Sequence, residues 1–63
     1  MTIHELNREQ LIQIKQAYYT RKQEEAGQGV SYQELAEIDA LVTDEEIKEA
    51  YEGVDFVQDD FFA

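Results

Sequence analysis

The sequence predicts an all-α fold: a small three-helix domain with a short C-terminal acidic and aromatic tail docked on its core. Three observations carry this expectation. Apolar residues recur at spacings of three and four. Asn7, Ser31 and Thr43 are each followed three residues later by Gln or Glu, the mark of a helix start. Gly27, Gly29 and Gly53 stand where the resulting helices should stop. At 63 residues the chain is a single domain spanning 1–63. A domain of this size buries only roughly 60% of its unfolded surface, so every large apolar side chain matters to the core.

The first helix is expected over residues 8–25. Asn7 with Gln10 caps it, Leu11, Ile14 and Tyr18 form its stripe, and Ile12 and Tyr19 widen that stripe to one side. Glu9 near the start and Arg21 and Lys22 near the end suit the helix dipole, and the Gly27-Gln28-Gly29 run breaks it. Ser31 with Glu34 then opens a short helix over 32–39, with Tyr32, Leu35 and Ala36 at helical spacing. Ile38, Leu41 and Val42 continue the apolar signal. Thr43 with Glu46 opens a third helix over 44–52 through Ile47, Ala50 and Tyr51, its first turn filled by Asp44, Glu45 and Glu46. Residues 54–63 follow neither period. Val54, Phe56, Val57, Phe61 and Phe62 would supply the area that three short helices lack, hence the docked tail.

Charge is distributed unevenly. Residues 1–30 hold four acids and four bases, whereas residues 31–63 hold eleven acids and Lys48 alone, so the whole net charge of −10 lies in the second half. Such an imbalance repels phosphate and anionic lipid and attracts basic protein surfaces over about 8 Å at physiological salt. It excludes direct nucleic-acid binding and membrane association as working expectations. The absence of cysteine removes disulfides and thiolate metal sites and points to a reducing cytoplasmic setting. Met1 is followed by Thr2, Ile3, His4 and Glu5, which is not the pattern of a signal peptide.

Catalytic chemistry finds few candidates. Ser31 is explained as a cap and His4 as an exposed residue of a frayed N-terminus, so no nucleophile meets a base. Carboxylate pairs abound, but a chain this small rarely encloses the pocket that would split their pKa values. From Asp39 onward, Leu41 and Thr43 replace the oxygen ligands of a calcium loop and Asp44 replaces its glycine. The expectation is a non-enzyme with no cofactor and no metal.

Residues 33–51 resemble a helix-turn-helix unit in Glu34-Leu35-Ala36-Glu37, in the Leu41-Val42-Thr43 junction, and in Ile47 and Tyr51. The second helix carries Asp44, Glu45, Glu46, Glu49 and Glu52 against Lys48, and would be repelled by phosphates. Inverted, that feature suggests a ladder: Glu45, Glu49 and Glu52 lie three and four residues apart, with neighbouring side chains about 5–6 Å apart, a spacing that approaches that of successive phosphates. Glu34, Glu37, Asp39, Asp59 and Asp60 widen the array, and the eight candidate partner-binding residues are Glu34, Glu37, Asp44, Glu45, Glu49, Glu52, Asp59 and Asp60.

Leu6-Asn7-Arg8-Glu9-Gln10-Leu11, Ser31-Tyr32-Gln33-Glu34-Leu35-Ala36, Val42-Thr43-Asp44-Glu45-Glu46 and Asp59-Asp60-Phe61-Phe62 together resemble short uncharacterised acidic proteins of phages and mobile elements of Gram-positive bacteria. That resemblance implies a setting in which small acidic inhibitors of nucleases, restriction and CRISPR systems are common. The resulting expectation is a small acidic, non-catalytic protein that binds a basic protein surface as a nucleic-acid mimic. The alternative is an interaction or self-association module anchored by Phe56, Phe61 and Phe62, with the acidic face serving solubility alone.

Overall fold

The computed structural model describes residues 1–56. It contains a 3-10 turn (Ile3–Glu5) and four helices: α1 (Arg8–Glu25), α2 (Tyr32–Ala36), α3 (Ile38–Leu41) and α4 (Asp44–Ala50). The all-α expectation holds. Helix α1 has the bounds read from sequence and is the long element against which α3 and α4 pack.

Local signals explain the ends of α1. The Asn7 side chain accepts from the Gln10 N–H at 2.9 Å, and the Gln10 side chain in turn accepts from the Asn7 N–H at 3.1 Å. At the other end Gly27 adopts φ +76, a left-handed conformation that costs a residue with a Cβ roughly 1–2 kcal/mol. It lets the Gln28 N–H reach the Gln23 carbonyl at 2.8 Å and the Gly27 N–H reach that of Glu24 at 3.0 Å. These bonds join those of the Ala26 N–H, which reaches the Lys22 and Gln23 carbonyls at 3.2 and 3.1 Å, in closing the last turn.

The helix expected over 32–39 is two helices, broken at Glu37, whose φ −99 and ψ 21 leave the helical region. A tertiary contact accompanies the break. The Leu35 carbonyl, which an unbroken helix would offer to the N–H of residue 39, accepts from Gln16 Nε2 of α1 at 3.1 Å. The new direction buries Ile38. The third expected helix stops at Ala50 instead of residue 52. Residues 51–53 form a turn closed by the Val54 N–H on the Tyr51 carbonyl at 3.2 Å, with Gly53 at φ +81. Thr43 caps α4 by accepting from the Glu46 N–H at 3.1 Å, but only that half of the expected box forms.

The N-terminus is ordered, contrary to the frayed segment expected. Ile3 is buried with Leu11, Ile14, Ile38, Val42, Ile47 and Phe56 in one core, and the Phe56 N–H donates to the Met1 carbonyl at 2.6 Å. The 3-10 turn and the Val54–Phe56 stretch thus close the core from the two ends of the described segment. The first part of the tail docks as expected, with Phe56 2% exposed. Residues 57–63, including Asp59, Asp60, Phe61 and Phe62, lie outside the described residues.

Candidate functional site

The carboxylates of the second half divide by what holds them. The most constrained group centres on Lys15, whose side chain is 2% exposed. Its place on α1 explains this: Leu11 precedes it by one turn and Ile14 by one residue, so its stem lies along the buried stripe. The ammonium donates to Asp39 Oδ1 at 2.9 Å and to Asp44 Oδ1 at 2.5 Å, linking α1 to α3 and α4 together. Arg8, two turns earlier, donates to the other Asp39 oxygen at 2.5 Å. These residues line a cleft of about 290 Å³ with Thr43 and Glu45.

The protonation states follow from this geometry. Burial pulls the Lys15 pKa down, but the hydrogen bonds to Asp44 and Asp39 outweigh it and hold it above the ordinary lysine value. The same Lys15 bond holds the Asp44 carboxyl below its usual range. Both groups therefore stay charged, and both aspartates face an amine that cannot turn away.

A second group is tied by neutral donors. Glu34 Oε1 accepts from the Ser31 N–H and hydroxyl at 3.3 and 3.2 Å, while Oε2 accepts from the Tyr19 hydroxyl at 2.5 Å. The Tyr19 bond, followed by those from Ser31, lowers the Glu34 pKa, and the carboxylate in turn raises that of Tyr19. Two more acids meet the N-terminal segment: His4 Nε2 contacts Glu52 Oε2 at 3.1 Å, and the Met1 ammonium donates to Asp55 at 2.6 Å. That second bond raises the amine's pKa. Glu52 therefore lies in the turn beyond α4 and is held there, so it is not a third rung of a helical ladder.

A third group is open. Glu45, Glu46 and Glu49 on α4 and Glu37 at the α2–α3 break are exposed, and among the described residues their side chains have no hydrogen-bond or ion-pair partner. Glu45 and Glu49, four apart, share one side of α4. Of the eight candidate residues, then, Glu34, Asp44 and Glu52 are bonded within the chain, Glu37, Glu45 and Glu49 are open, and Asp59 and Asp60 lie outside the described residues.

Ser31 serves as the α2 cap. Lys15 is the functional-looking residue that sequence reasoning missed, although its position on the Leu11-Ile14-Tyr18 stripe was a usable signal. Among the described residues no group of three or more His, Asp and Glu side chains stands as a metal donor set, and no helix is long and apolar enough to cross a membrane. Comparison of the chain with protein-family models, curated proteins and solved structures finds no match.

Proposed function

We propose that this is a non-catalytic binder that presents the open carboxylates of α4 to a basic protein surface. The observation that supports this is the division just described. Arg8 and Lys15 are committed to Asp39 and Asp44, which leaves Glu45, Glu46 and Glu49 exposed on one short capped helix and, among the described residues, unpaired. Unpaired like charges on a small domain are costly unless something outside uses them. Carboxylates held on a helix suit a protein groove shaped for phosphates, so the favoured partner is a nucleic-acid-binding protein such as a nuclease, restriction or CRISPR component, met in the cytoplasm. The resemblance to acidic proteins of phages and mobile elements favours the same partner class.

The competing reading, an aromatic-anchored interaction module, loses Phe56 as an anchor because that ring is part of the core. It retains Phe61 and Phe62, which lie outside the described residues.

The test is a pull-down at low and high salt, with Glu45→Lys/Glu49→Lys/Glu46→Lys beside the wild type and duplex DNA as competitor. The expected outcome is capture of a partner by the wild type that falls with salt, is displaced by DNA and is lost in the triple variant. Capture that survives both the reversal and the competitor overturns the reading. Glu52 is left intact in this design because its contact with His4 would confound the result.

A further inference from the structure

Helix α2 is held differently from the other elements. Among the described residues it is the one helix that buries no side chain: Ile3 anchors the 3-10 turn, Leu11, Ile14 and Lys15 anchor α1, Ile38 anchors α3 and Ile47 anchors α4. Tyr32 at its start is 92% exposed, and Glu34 and Leu35 are only half-buried. With so little apolar area withdrawn from water, hydrophobic burial does little to fix α2 to the rest of the fold.

Two hydrogen bonds from α1 take that part. Gln16 Nε2 donates to the Leu35 carbonyl at 3.1 Å, and the Tyr19 hydroxyl donates to Glu34 Oε2 at 2.5 Å. The two donors stand about one turn apart on α1 and grip α2 at consecutive residues. The remaining bonds of Glu34, from the Ser31 N–H and hydroxyl, lie within the segment and travel with it. Helical backbone is interrupted on both sides, by Gly27 at φ +76 and Gly29 before α2 and by Glu37 at φ −99 and ψ 21 after it. A segment so bounded can swing away without unwinding α1 or α3.

We propose that α2 is a detachable lid on α1, strapped shut by Gln16 and Tyr19, which opens while the core around Ile14 and Ile47 stays folded. Closed, the lid holds the Glu34 carboxylate against Tyr19. Open, it frees that carboxylate and leaves the Gln16 amide and the Tyr19 hydroxyl as neighbouring donors on α1, able to take a carbonyl and a carboxylate from another chain. The acidic half then has a fixed part, α4, and a movable part, Glu34. The inference is independent of the acidic-face reading, since it uses none of the α4 carboxylates.

Native-state hydrogen exchange on the full chain at rising urea tests this. The Leu35 and Glu37 amides, which donate to the Ser31 and Gln33 carbonyls, report on the lid, and those of Ile14 and Lys15 in the middle of α1 report on the core. Leu35 and Glu37 should exchange faster and with a shallower dependence on urea, because opening the lid exposes little surface. Ile47→Val should speed exchange at Ile14 and Lys15 about fivefold and leave Leu35 and Glu37 unchanged, since the core is intact in both lid states. Tyr19→Phe should speed Leu35 and Glu37 about tenfold through loss of one strap. Equal urea slopes at lid and core, or an Ile47→Val effect shared by both, would make α2 part of a single cooperative unit and overturn the proposal. Exchange at Leu35 and Glu37 that ignores Tyr19→Phe would be fraying of a short helix with its strap still closed, and overturns it as well.

Discussion

Asp44 and Glu45 are neighbours in sequence and opposite in circumstance. Asp44 turns toward α1 and meets a buried ammonium, whereas Glu45 is exposed and has no partner among the described residues. The difference is made by one residue of another helix, Lys15. It teaches that the net charge of a segment says little about which carboxylates are free to act: those bonded within the chain hold the fold, and Glu37, Glu45, Glu46 and Glu49, which have no partner among the described residues, are spare.

Removing the bridge is the strongest way to break this comparison. Lys15→Ala should cost about 2 kcal/mol in urea unfolding, less than the 3–5 kcal/mol typical of an enclosed pair, because Asp39 and Asp44 remain 40% and 46% exposed. In a domain with a margin of a few kcal/mol this is a large fraction of the whole. Replacing the network together, as Lys15→Met/Asp39→Asn/Asp44→Asn, should recover most of the loss, since the uncompensated charges vanish with the amine. A loss as large in the triple variant as in Lys15→Ala would show that the bridge's geometry, not its charge balance, carries the stability.

Acid should act on the held carboxylates next. Glu34, Asp44 and Glu5 have folded pKa values below their ordinary ones, through bonds from Tyr19, from Lys15 and from the Thr2 backbone respectively. Depressed carboxylates stabilise the fold above their unfolded values of about 4, and that stabilisation is lost as the pH falls through the folded values. The melting temperature should therefore fall below about pH 4. Lys15 has the opposite sign: its raised pKa stabilises fully below the unfolded value and is lost as the pH rises through the folded one, above about 10. Thermal melts across pH 2–11 check both limbs, and a melting temperature that climbs steadily into acid would show repulsion outweighing the held pairs.

Smaller effects sharpen the boundary. Thr43→Ala should cost about 1 kcal/mol through loss of the α4 cap, and chemical denaturation measures it. Smallest of all, Glu45→Gln and Glu49→Gln should each fall within about 0.5 kcal/mol of the wild type, since neither side chain has a partner among the described residues to lose. A loss above about 1 kcal/mol at either position would place it among the carboxylates that hold the fold.

The sequence was legible where the determining interactions are local. Asn7, Ser31 and Thr43 act on backbone groups three residues away, and Gly27 and Gly53 act through their own φ, so α1 and the starts of α2 and α4 could be read directly. It was opaque where a distant residue decides. The break at Glu37 coincides with a Gln16 contact from another helix, and Ile3 is buried in a core it shares with Phe56 at the far end of the described chain. The acidic array suffered most from this. Spacing placed Glu52 on the same helical side as Glu45 and Glu49, but α4 ends at Ala50 and His4 engages Glu52 instead. Lys15 looked like one charge among several in a neutral half because a period of three and four also tolerates a long amphipathic side chain.

The contact between Met1 and Phe56 spans nearly the whole described chain. A pairing of such wide sequence separation costs loop-closure entropy before it is rewarded, so joining these two stretches of backbone is expected to come late in folding, after α3 and α4 have packed on α1.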